Sequence, residues 1–263
     1  MIDIHSHILP GIDDGVKTED EAVEFARMAD ADGIKTIVAT PHCKEGFYFN
    51  DLDKVRAEVE KLRRRFEAEG IKLRLEPGAE VHICPDLVER VKDGRAPTLL
   101  NNGTTLLLEL SLRQYPIDLE NLVFQLKLAG LEVIFAHPER IRYFQDDTSR
   151  YEAVIHQGAT GQITTGSLLG LFGSEAEEFS EELMQKGLVQ VIATDAHNLR
   201  GRRPVLSEAL EVASDWVGEA RAQAMVHAAP QALIEGRSPE LPPVDAPSSR
   251  GRGGFFSRLF GRD

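Results

Sequence analysis

Seven short apolar runs, at residues 1–5, 34–40, 71–76, 104–110, 131–136, 160–164 and 188–194, alternate with longer stretches of helical periodicity and glycine-containing turns. Most are continuous blocks of leucine or β-branched residues rather than apolar–polar alternations, the pattern of strands buried on both faces of a parallel sheet. Strand–helix alternation with right-handed crossovers leaves a (β/α) barrel or a doubly wound sheet. The intervening stretches have recognisable ends. Thr18 and Glu21 make a capping box ahead of a helix with Ala22, Phe25, Ala26 and Ala29 on one face. Asp51 or Asn50 can cap a helix over 52–69 that closes at Gly70. Ser174 or Ser180 opens the stretch ending at Gly187, and Pro204 suits the first turn of a helix over 205–217.

Composition narrows the class further. The chain's 263 residues, 42% hydrophobic and 28% charged, suffice for one large globular domain or two small ones and argue against a disordered or fibrous chain. No apolar run approaches 18 residues, so no transmembrane helix is expected. The start, MIDIHSHILPGIDDG, carries Asp3 and lacks a basic region followed by an apolar one, so it does not read as a signal peptide. Two cysteines, Cys43 and Cys84, cannot make a disulfide framework, which points to the reducing cytoplasm. A formal net charge of -13 disfavours nucleic acid as a partner and requires any phosphate-bearing substrate to be held by local cations.

The domain is expected to span residues 1–238. Beyond it, Pro, Ser, Gly and Arg dominate a flexible tail, 239–263, which ends in a short amphipathic FFSRLF block. Phe255, Phe256, Leu259 and Phe260 would share one helical stripe with Arg258 and Arg262 beside it, a segment suited to weak contact with an anionic membrane surface or with a groove on a membrane-anchored partner.

The placement of His, Asp and Glu carries the chemistry. His5 and His7 close the first run and Asp14 follows in the loop; His42 comes two residues after the second run, and Glu80 lies just past the third. Glu109 and His137 end the fourth and fifth, and Asp195 with His197 ends the seventh. In a (β/α) barrel the C-terminal strand ends converge on one mouth, where active sites are built. His-x-His puts two imidazoles on one face of a strand. Imidazoles and carboxylates together form the ligand set of zinc, manganese or iron, and carboxylates can bridge two ions. His82, His156 and His227 lie off this pattern and read as surface or satisfied core residues.

The motifs DIHSHILPGIDDG, ATPH, GAEV, ELS, FAHPER and TDAHN, in this order, resemble those of the polymerase-and-histidinol-phosphatase (PHP) superfamily. Within it they are most similar to the bacterial protein-tyrosine phosphatases of capsule and exopolysaccharide biosynthesis, the CpsB/CapC type. The resemblance runs from Met1 to about Arg203. It implies an α/β fold, a distorted seven-stranded (β/α)7 barrel, and a three-metal centre. One metal would take His5, His7, Glu80 and Asp195; a second would share Glu80 and add Glu109 and His137; the third would take Asp14, His42 and His197. Manganese is the implied metal, with iron, cobalt or zinc as alternatives. Asp14 stands where histidinol-phosphate and polymerase relatives often have His, which favours the tyrosine-phosphatase branch. Arg140 and Arg202 match positions that hold the phosphate, with Arg200 and Arg203 competing for the latter role; an arginine fork suits phosphate bidentately.

The implied reaction is phosphotyrosine hydrolysis by a metal-bound hydroxide, on the tyrosine-rich tail of a bacterial autokinase that controls polysaccharide export. Two other readings are a small-molecule phosphoesterase of the histidinol-phosphatase kind and a metal-stabilised scaffold without turnover. Cys84 and Arg90 also match the C-x5-R spacing of cysteine-dependent tyrosine phosphatases. Pro85 removes an N–H from that loop, no glycine lets it curl, and Asp86 and Glu89 would repel phosphate, so the match reads as accidental.

Overall fold

A computed structural model describes residues 1–245; the FFSRLF block and the rest of 246–263 lie outside the described residues. Each of the seven apolar runs contributes one strand, and two short strands are added to them, making nine: β1 (Ile2–Ser6), β2 (Thr36–Ala39), β3 (His42–Cys43), β4 (Arg74–Pro77), β5 (Glu80–His82), β6 (Thr105–Glu109), β7 (Glu132–Ala136), β8 (Thr160–Thr164) and β9 (Val191–Ala193). The two added strands, β3 and β5, follow the second and third runs. Pro41, which has no N–H to give a ladder, separates β2 from β3. Gly78 separates β4 from β5 where the backbone passes so close to Val38 that a Cβ would sit 2.8 Å from its Cγ1.

All ladders are parallel and form two sheets, β1-β2-β4 and β3-β5-β6-β7-β8-β9. The parallel α/β fold expected from the sequence is thus present, but its strands do not make one continuous closed ladder. At the β9–β1 seam only an isolated bridge, Ser6 with Ala196, joins the sheets. Two bonds flank it: Asp195 N–H donates to His5 O and His7 N–H to Ala196 O, each at 2.9 Å.

Side chains alternate between two apolar layers. Ile4, Val38, Leu107, Ile134 and Val191 point inward and pack on Leu233 and Ile234 of the helix Ala228–Ile234. That helix covers the N-terminal strand ends, where Thr105 Oγ1 donates to Leu233 O at 2.6 Å. The opposite layer, with Ile37, Leu75, Leu106, Val133 and Ile192, packs against helices such as Glu19–Ala31 and Leu52–Ala68. Closing one end of the interior leaves the C-terminal strand ends as the mouth.

Most helix starts follow local signals. Thr18 Oγ1 accepts from Glu21 N–H, although the Glu21 carboxylate reaches Lys17 N–H rather than closing the box on Thr18. Asp51 caps Leu52–Ala68, and Ser174 opens Ser174–Gln185. The last expectation shifts: the helix is Ser207–Val217, with Pro204 outside it. Its first N–H groups, on Leu206 and Ser207, bond Asp32 Oδ2, a cap supplied 175 residues away in sequence for Ser207. Beyond Gly236, Leu241 and Val244 pack on the core, and Asp245 N–H donates to Val217 O.

Candidate metal centre

The nine carboxylates and imidazoles singled out from the sequence all lie at the mouth. His5 and His7, at and just past the end of β1, are fully buried and point the same way, their Nε2 atoms 3.3 Å apart. Each ring is oriented from behind. His5 Nδ1 meets Gln162 Oε1 at 2.8 Å, and His7 Nδ1 meets Asp13 Oδ2 at 2.7 Å. With Nδ1 engaged, Nε2 of each ring faces Glu80 Oε2 and Asp195 Oδ1, at 3.3–3.6 Å. Such a back-side partner sets the tautomer of a ligating histidine.

Glu80, at the start of β5, is the hub. Its Oε1 lies 3.0 Å from His137 Nε2 and its Oε2 lies 2.8 Å from His42 Nδ1. His42 Nδ1 is also 3.8 Å from Glu109 Oε2, and Asp14 Oδ1 stands 3.4 Å from both His42 Nε2 and His197 Nε2. Three groups have ligand atoms within 4.8 Å of one another: His7, Asp14, His42 and His197; His5, His7 and Glu80; His42, Glu80 and Glu109. The sharing differs from the partition implied by resemblance, since His7 reaches into the Asp14 group and His42 into the Glu80–Glu109 group. The cause is packing across the mouth, with the His7 and His197 ring centroids only 3.8 Å apart. None of His82, His156 and His227 joins a candidate group among the described residues.

The mutual electrostatics are strong. Burial alone would raise the Glu80 and Asp195 carboxyls, yet the surrounding imidazoles, with Arg202 near Asp195, hold both well below the usual carboxylate range. Burial would lower His7, but hydrogen bonds to Asp13 and Asp195 hold it up at about 9; Asp14 and Glu80 likewise hold His42 at about 11. The adjacent His197 and His42 imidazoles depress Asp14. Despite these close approaches, Glu80 Oε2, Glu109 Oε2 and His197 Nε2 are buried and none makes a well-directed hydrogen bond. Orphaned lone pairs of this kind are costly unless something else binds them. Imidazole and carboxylate donors converging on one space fit divalent metal ions.

The backbone is bent to make this arrangement. His137 (φ 39°) and Asp195 (φ 50°) both take the left-handed conformation, which costs a residue with a Cβ about 1–2 kcal/mol. Buried partners hold both turns. Asp3 accepts from Thr194 N–H at 3.0 Å and from its hydroxyl at 2.5 Å, while Glu139 accepts from Thr164 N–H, Thr164 Oγ1 and Ser167 Oγ.

Two guanidinium groups close one side. Arg140 Nη1 lies 3.0 Å from Asp195 Oδ2, and Arg202 Nη2 contacts the same oxygen. Asp195 thereby presents one oxygen to the imidazoles and the other to the arginines. Arg202 reaches it because the Asn198 side chain accepts from the N–H groups of Arg200, Gly201 and Arg202, folding the loop back. Arg203 is engaged with Glu208 instead.

Asp13 and Gln162 were not singled out from the sequence. Gln162 had a signal, as a polar residue in a strand otherwise read as buried; Asp13 had none that separates it from Asp14. The C-x5-R segment is spent elsewhere: Arg90 bonds Asp86 and Glu45, and burial with the Asp86 carboxylate pushes the Cys84 thiol up to about 11. A thiol so placed is not an ionised nucleophile at neutral pH.

A parallel α/β scaffold that gathers imidazoles, carboxylates and two arginines at one end of its strands is the framework of a metal-dependent hydrolase. The chain belongs to the CpsB/CapC family of capsular polysaccharide synthesis, whose pattern matches residues 1–235. It is 39% identical to the tyrosine-protein phosphatase YwqE of Bacillus subtilis over 81% of this chain and 83% of that protein. It is 30% identical to the tyrosine-protein phosphatase CpsB of Streptococcus agalactiae over 89% of this chain and 98% of that one. Its fold is similar to a chain from the crystal structures of YwqE from Bacillus subtilis and CpsB from Streptococcus pneumoniae, described as unique metal-dependent tyrosine phosphatases. That match has a TM-score of 0.87 and 34% identity and covers 94% of this chain and 100% of that one.

Proposed function

We propose that this chain is a metal-dependent protein-tyrosine phosphatase that acts, in the cytoplasm, on the phosphotyrosine tail of a bacterial autokinase regulating capsule or exopolysaccharide synthesis. The observation that carries the reading is the division of Asp195, with Oδ1 toward the His5 and His7 rings and Oδ2 toward Arg140 and Arg202. That division supports reading a site for divalent cations beside a site for phosphate oxygens. His5, His7, Asp14, His42, Glu80, Glu109, His137, Asp195 and His197 would hold the ions, manganese first among the candidates. Such ions supply Lewis acidity, which makes water a nucleophile near neutral pH and offsets phosphate charge.

The chain's own groups do the rest. Asp13 and Gln162 fix the His7 and His5 rings with Nε2 inward. Arg140 and Arg202 offer N–H forks to the phosphate and supply the local cations that the acidic chain otherwise lacks. The segment 246–263 would add weak contact with an anionic membrane surface near the kinase.

The test is phosphate release from a phosphotyrosine tail peptide and from histidinol phosphate, before chelation, after it, and after manganese is restored. Loss and recovery on the peptide, with the peptide preferred, is the expected result. Preference for histidinol phosphate would move the chain to the small-molecule phosphoesterases, and turnover surviving exhaustive chelation would sink the metal reading.

A further inference from the structure

The two guanidinium groups come from different loops, one after β7 and one after β9, yet they converge on one carboxylate oxygen. Long cationic side chains that meet in this way repel each other and lose rotamer freedom; Asp195 offsets part of the repulsion, and a second shared neighbour limits the freedom. The ring of Phe172 is the shared neighbour. Arg140 Cζ lies 4.2 Å from its centroid and Arg202 Cζ lies 5.8 Å from it, both within cation–π range.

Phe172 is itself held in place. It follows the short helix Thr165–Leu168 at the end of β8 and belongs to neither core cluster. Leu171 N–H donates to Gly166 O at 2.8 Å, folding the segment back over Gly166. The absence of a side chain there lets the ring in: a Cβ on Gly166 would stand 2.7 Å from Phe172 Cε2. A large apolar ring is thus seated at the mouth over a glycine, with two cations set against it.

We propose that Phe172 is a positioning residue for phosphate binding, the common seat that keeps the Arg140 and Arg202 forks side by side. This rests on the reading of the two arginines as phosphate ligands. Phe172→Leu keeps an apolar side chain and removes the π face, whereas Phe172→Tyr keeps the face. In metal-loaded protein, Phe172→Leu should weaken inorganic phosphate, read by calorimetry and as a competitive inhibitor, about tenfold. KM for a small aryl phosphate should rise in step, with kcat changed much less and metal content unchanged. Phe172→Tyr should stay within about twofold of the parent. Gly166→Ala, which drives the ring off its seat, should mimic the leucine variant. In an Arg140→Ala/Arg202→Ala background, Phe172→Leu should have no further effect.

Unchanged phosphate affinity in Phe172→Leu overturns the proposal, and so does an undiminished loss in the double-arginine background. Loss of metal along with phosphate also overturns it, because the ring would then be supporting the mouth as a whole. Failure of the parent protein to hydrolyse phosphotyrosine would count against the proposed function alone, since the phosphate comparison does not need turnover.

Discussion

The two walls of the mouth are built differently. On the β7–β9 side charge is buried and paired: Asp195 is 1% exposed and meets the His5 and His7 imidazoles and two arginines, while Glu139 and Asp3 lock the turns beneath. On the β2–β3 side the site opens. The Asp14 side chain is 51% exposed, and the His42 ring is stacked on Tyr48 with centroids 5.5 Å apart. Tyr48 sits in a hairpin whose neighbours Phe47 and Phe49 are 74% and 73% exposed. Buried, paired charge suits a wall that keeps its geometry, as the proposed phosphate site requires. Exposed aromatic side chains and a half-exposed carboxylate leave the other wall open to solvent.

The largest expected effect tests whether the closed wall and the floor act as one unit. His5→Ala or Asp195→Ala should cost more in kcat/KM than the roughly 10–100-fold typical of partners one layer out, and His82→Ala, His156→Ala and His227→Ala should stay near the parent. Equal losses in the two sets would show that the ligand assignment is wrong. Next come the groups behind the rings. Asp13→Ala and Gln162→Ala should each weaken metal binding about 10–100-fold, measured by competition with a chelating dye. Parent-like affinity in both would mean that the rings need no support.

The middle prediction concerns protons. In metal-free protein His7 and His42 hold theirs to about 9 and about 11, above the ordinary 6.5. Their pairing therefore contributes stability that is complete below about 6.5 and is lost as pH rises through those two values. A metal must displace these protons, so its affinity should climb from pH 6 to 9. Calorimetry at pH 7 in two buffers of different ionisation enthalpy should show proton release; none would contradict the ionisation of the open wall. Arg140→Lys comes after this in size, with a rise in KM of about tenfold because the charge survives while the fork is lost. An unchanged KM would make Arg140 a partner of Asp195 and nothing more.

The smallest effects lie outside both walls. Cys84→Ser should leave turnover almost untouched, and alkylation of the thiol should be slow at pH 8, far below about 11. A fall of about 10²-fold or more in the serine variant, with the fold intact, would move the chemistry to the cysteine loop. Removing 246–263 should leave a small aryl phosphate unaffected and weaken only co-sedimentation with anionic vesicles or turnover of the membrane-anchored kinase.

What could be read along the chain is what a strand or helix terminus decides within a few residues. Each apolar run marks a strand, because both faces of a parallel sheet must be buried. His5 and His7 share a face because strand side chains alternate with a period of two. The candidate ligands sit at or just past the ends of the apolar runs because the motifs follow the runs directly. Thr18 and Asp51 cap their helices for equally local reasons. What could not be read depends on contacts between segments far apart in sequence. Only packing tells Asp13, which orients His7 and also accepts from His42 N–H, from the exposed Asp14 beside it. Only packing brings Gln162 to His5, Asp32 to the start of Ser207–Val217, and Arg140 and Arg202 to one ring and one carboxylate oxygen. A strand's period fixes where a side chain points, but which partner waits there is settled by how the sheets close and twist, and that is a property of the assembled chain.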